Sequence, residues 1–63
     1  MKPEALETLA VRAARAGYWA AARQAHEELD AAVRGDPRDR DAWDALLRVG
    51  RVLRTVRGGE GEE

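Results

Sequence analysis

The sequence predicts an all-α protein, a small antiparallel helical array of three helices. Three observations carry that expectation. Alanine and arginine, both strong helix formers, dominate a chain that has no Ile, Phe, Asn, Ser or Cys. Apolar residues recur at three- and four-residue steps in successive stretches. The segment Gly35-Asp36-Pro37-Arg38-Asp39 reads as a helix stop, a turn and a new helix start.

The first helix is expected at about 4–16. Pro3 suits its first turn, and Glu4 and Glu7 suit the positive end of its dipole. Leu6, Leu9, Ala10, Ala13 and Ala16 then form one narrow, mostly alanine face, so whatever packs on it comes close. Gly17 follows. In mid-helix it costs about 1 kcal/mol relative to Ala, which by itself does not force a break. An alternative fold therefore stays open: a two-helix hairpin, with Gly17 inside one long helix, forming a dimeric four-helix bundle.

The second helix is expected at about 18–34. Trp19, Ala22, His26, Leu29 and Val33 make its stripe, bordered by Tyr18 and Ala25. Arg23 with Glu27 and Asp30 with Arg34 are opposite charges four residues apart on the solvent side. Gly35 suits a left-handed residue just past the helix end. Pro37 presses Asp36 into an extended conformation, and Asp39 can cap the next helix.

The third helix is expected at about 40–57, with Gly58-Gly59 as its stop. Trp43 is its first large apolar residue and is expected to anchor it against the earlier helices. Ala42, Trp43, Ala45, Leu46, Leu47, Val49, Gly50, Val52, Leu53 and Val56 cover more than half of its circumference. A surface helix of a monomer needs only a stripe somewhat wider than about 100°. This segment is therefore expected to be covered from two sides, one of them another chain.

Sixty-three residues allow one domain, read as 1–57, followed by a Gly/Glu tail at 58–63 read as disordered. A domain of this size hides only about 60% of its unfolded surface and is marginal alone. Without cysteine it has neither a disulfide framework nor a thiolate zinc site, which makes homo-oligomerisation the leading staple. The net charge of −1 is unevenly laid out. Three of the twelve acids, Glu60, Glu62 and Glu63, lie in the tail, and the body is close to neutral. That balance makes neither a nucleic-acid field nor an acidic one. No apolar run is long enough to span a membrane and no signal-peptide pattern opens the chain, so cytoplasmic is the default. Arg far above Lys, with no Asn or Cys, suits a hot-growing or GC-rich source.

No enzyme constellation is present. Thr8 and Thr55 have no base beside them, and Gly58-Gly59-Glu60-Gly61 lacks the strand, Lys and helix of a phosphate cradle. His26 is the only histidine. With no second histidine or H-E-x-x-H spacing it reads as a core-edge imidazole bonded to a neighbour rather than a metal ligand. Catalytic, cofactor and metal residues are accordingly none. Arg48, Arg51, Arg54 and Arg57 step by three and so spiral round their helix, which argues against a phosphate-tracking face.

With helices placed, the chain resembles a tetratricopeptide repeat, about one and a half units of it. Leu6-x2-Leu9-Ala10-x2-Ala13 has the spacing of that repeat's first helix, and Ala22-x3-His26 has its A-x3-F spacing. Pro37 then precedes Trp43-x2-Leu46-Leu47, where the pattern restarts. The chain departs from the pattern at His26, Leu47 and Gly50, and its second helix is longer before Pro37. The resemblance implies a concave groove for a peptide, lined by Glu7, Val11 and Arg15 from the first helix and by Asp44, Arg48 and Arg51 from the last. Its arginines would favour an acidic segment.

The function expected from these readings is a non-enzymatic, self-associating protein-interaction module, with Trp43, Leu46, Val49, Gly50 and Leu53 as the self-association seam. Two other readings are an RNA-binding hairpin dimer and a small subunit or inhibitor of a larger protein.

Overall fold

Two interruptions divide the chain into helices, and they work differently. The computed structural model describes residues 2–61, with side chains over residues 2–56. Among these residues there are three helices and no strand: α1 Pro3–Ala16, α2 Trp19–Gly35 and α3 Arg40–Gly61. α1 opens on Pro3, whose missing N–H has no intrahelical acceptor to lose, with Glu4 in its first turn. It closes at Gly17, which sits in the left-handed region at φ 87°. The Gly17 N–H donates to the Ala14 carbonyl at 3.2 Å and the Tyr18 N–H to the Ala13 carbonyl at 2.8 Å. Those two bonds make a Schellman ending. Gly17 thus breaks the first helical region, and the two-helix hairpin is not the fold.

The second interruption corrects one expectation. Gly35 is the last residue of α2 and is not left-handed; Gly17 is the only described residue with positive φ. The chain leaves α2 through Asp36 at φ −144°, ψ 85°, whose N–H still donates to the Ala32 carbonyl at 3.0 Å. The reason is Pro37, which holds its predecessor out of the helical region, so an extended residue makes the exit. The Asp39 N–H then closes a tight turn onto the Asp36 carbonyl at 3.0 Å. Asp39 caps α3, its Oδ1 accepting from the Ala42 N–H at 3.2 Å. α3 continues across Gly58 and Gly59 to Gly61, beyond the expected stop. A glycine adds about 1 kcal/mol to the cost of a helical residue but does not forbid it. The disordered-tail reading extends to Glu62 and Glu63, which lie outside the described residues.

Side-chain packing gives the helix directions. One buried cluster joins Leu6 and Ala10 of α1, Ala25 and Leu29 of α2, and Ala45 and Val49 of α3. A second joins Ala13 and Ala14 to Ala22, with Trp19 and Leu53 packed against it. Moving from the first cluster to the second runs forward along α1 and α3 and backward along α2. α1 and α3 therefore lie side by side in the same sense, with α2 antiparallel to both, and each helix touches the other two.

Among the described residues seven of the eleven buried ones are alanine, so the helices approach closely but hide little apolar area. Leu29 and Val49 are the largest fully buried side chains and sit in the same cluster. Each contributes about 1.5–3 kcal/mol of burial, a large share for a chain this short.

Two packing expectations are corrected. Leu9 is 44% exposed and Ala16 is exposed, while Ala14 is buried, so the buried face of α1 is rotated toward Ala14. Trp43 does not anchor α3 in the core; it is 41% exposed, and Ala42, Ala45 and Val49 do the anchoring. The rotation has one cause in both helices. Alanine faces permit closer approach than leucine or tryptophan, and the array closes on them.

Candidate functional site

The two helix faces that the repeat resemblance would make a groove meet at one pair, Glu7 and Arg48. Glu7, Val11 and Arg15 recur every four residues along α1, and Asp44, Arg48 and Arg51 lie along one side of α3. Arg48 reaches across from α3 and grips Glu7 with two of its three guanidinium nitrogens: Nε donates to Glu7 Oε2 at 2.8 Å, Nη2 to Oε1 at 3.0 Å. This forked geometry fixes orientation as well as distance. The hydrogen bond to Glu7 raises the Arg48 guanidinium above its ordinary range; desolvation opposes this, and the charges of Glu7, Asp44 and Asp41 reinforce it. Val11 is half-buried beside this pair, while Arg15, Asp44 and Arg51 are exposed. The arrangement is a shallow, charged strip on which α1 and α3 run in parallel.

The five residues expected as a self-association seam do not share one accessible face. Val49 is fully buried in the chain's own core and is unavailable to a partner. Leu46 and Leu53 are half-buried and packed against that core. Gly50 is half-buried, and a Cβ there would lie 3.7 Å from His26 Nε2. Only Trp43 is exposed. Leu47, 63% exposed, is the large apolar residue that the seam omitted. Its exposure follows from which stripe of α3 meets α1 and α2, and a helix apolar nearly all round does not reveal that stripe.

A shallow hollow lies on the outer side of α3, lined by Leu47, Arg48, Gly50, Arg51 and Arg54. Three of the four arginines expected to spiral apart thus border one depression. Trp43 lies one turn before it, its indole Nε1 donating to the Pro37 carbonyl at 2.9 Å. The ring is tied to the turn that precedes its own helix.

His26 is half-buried against Gly50, and no hydrogen bond to a described residue holds its ring. Among the described residues no group of His, Asp or Glu is placed to hold a metal ion, and no helix is long and apolar enough to cross a membrane. Of the two helix-surface ion pairs expected on α2, Asp30–Arg34 forms at 3.2 Å and Arg23–Glu27 does not. Comparison with family models, curated proteins and solved structures finds no match to this chain.

Proposed function

We propose that this chain is a non-enzymatic protein-interaction module of tetratricopeptide-like design, acting in the cytoplasm and associating with itself. In this reading an extended acidic segment lies along the strip between α1 and α3. The observation that supports it is the Glu7–Arg48 pair, which joins the two faces and sets Arg48 beside Arg51 on an exposed surface. An incoming carboxylate would displace Glu7 from the Arg48 fork, keeping the bidentate geometry while exchanging an internal partner for an external one. Arg51 and Arg15 would supply attraction along the strip, and Val11 a small apolar floor.

The test is titration of a fluorescent acidic peptide against the wild type and the Arg48→Glu/Arg51→Glu variant. The reading requires binding that weakens with salt, and its loss in the variant. Undiminished binding in the variant would reject it. Glu7→Gln separates competition from simple attraction, because it leaves Arg48 without its carboxylate and should tighten the peptide.

A further inference from the structure

We propose that the outer edge of α3 is a two-fold interface with a second copy of this chain, formed by Trp43, Leu47, Gly50 and Arg54. The proposal rests on the reading of the chain as self-associating and replaces the seam that included Val49. These four residues fall at i, i+4, i+7 and i+11, so they share one edge of the helix. Trp43 and Leu47 are large exposed hydrophobics on that edge, and the hollow floored by Gly50 lies beside them.

The occupant is chosen by charge. The cap and first turns of α3 carry Asp39, Asp41 and Asp44 against a single Arg40, and the following turns carry Arg48, Arg51 and Arg54. A two-fold axis across α3 sets the copies antiparallel, and the acidic half of each then meets the basic half of the other. With the axis between Arg48 and Val49, Leu47 sits over Gly50 of the partner subunit. Trp43 meets Arg54 of the partner subunit, a cation over an indole face. Asp44 comes within reach of Arg51 of the partner subunit. Because the hydrogen bond to Pro37 already orients the indole, less side-chain freedom is lost on association.

The edge from Trp43 to Arg54 is only about 17 Å long at 1.5 Å per residue. The patch therefore falls short of the ~800 Å² per partner of a standard interface. The dimer is accordingly weak, reversible and salt-sensitive.

Sedimentation equilibrium of the full chain, from micromolar to millimolar protein, reads this directly. The mass should climb from 7.0 kDa toward twice that value. Leu47→Lys, on an exposed side chain outside both buried clusters, should weaken association about tenfold or more. Its circular dichroism should be unchanged. Asp44→Arg alone should also weaken it, and the Asp44→Arg/Arg51→Asp swap should restore it. A wild type that stays single-copy at millimolar concentration overturns the proposal. So does association indifferent to Leu47→Lys, or a swap that fails to recover. The reading of the peptide strip stands or falls separately, since no peptide enters this measurement.

Discussion

The two joints between helices solve the same problem with different materials. The α1–α2 joint is made of backbone. Gly17 turns left-handed, Tyr18 and Gly17 return their N–H groups to α1, and no side chain caps the start of α2. The α2–α3 joint adds side chains to its two backbone bonds. Asp36 Oδ1 accepts from the Arg38 N–H at 3.2 Å, Asp39 caps α3, and the Trp43 indole ties the new helix back to Pro37. One joint concentrates its requirement in a single torsion angle; the other distributes it over three hydrogen bonds. The first should therefore be brittle to one substitution, and the second should weaken by degrees.

Gly17→Val is the sharpest way to break that contrast. Nothing lies within 4 Å of a Cβ at this position, so the penalty is conformational and not steric against neighbours. Placing a β-branched residue in the left-handed region should cost about 2 kcal/mol. For a domain of this size that lowers the midpoint of thermal unfolding by roughly 10 °C. A variant that melts with the wild type would show that the joint does not depend on its torsion.

Asp39→Ala tests the distributed joint and should cost about 1 kcal/mol, half of the glycine effect, with Asp39→Asn recovering most of it. Trp43→Phe keeps an aromatic ring but removes the donor to the Pro37 carbonyl together with part of a half-covered ring system, for about 1 kcal/mol. Thermal melts read both. A larger loss for Trp43→Phe than for Asp39→Ala would mean that the indole, and not the cap, holds the turn.

What could be read from the sequence divides along the same line. Most local features were legible: Pro3 at the first turn, Asp39 as cap, and the Asp30–Arg34 pair all depend on residues a few positions apart, though the equally local Arg23–Glu27 pair and a left-handed Gly35 are not found. The pairing of helix faces was not. Glu7 and Arg48 are 41 residues apart; the repeat resemblance sets them along one groove, but nothing in the spacing says that they pair. On α3 the buried stripe runs through Ala42, Ala45 and Val49, yet a sequence apolar on most of its circumference fits a stripe through Trp43 equally well. Residue size misled there, because alanine decides which faces close when helices pack tightly. The same limit hid Leu47, whose exposure is set by where α1 and α2 lie.

The smallest effect carries the most information, because its sign is opposite. Gly35 and Gly17 both sit at helix ends, and the sequence pattern points to Gly35, not Gly17, as the residue in the left-handed region. Only Gly17 is there; Gly35 is a helical residue with open space where a Cβ would go. Gly35→Ala should therefore stabilise the chain by about 0.5 kcal/mol, through higher helix propensity and a less free unfolded chain. Gly17→Ala should destabilise it by about 1–2 kcal/mol, since the same methyl group must enter the left-handed region. Paired melts of these two variants need no knowledge of any partner. If both alanines destabilise, Asp36 is not the residue that turns the chain out of α2, and the two joints are built alike.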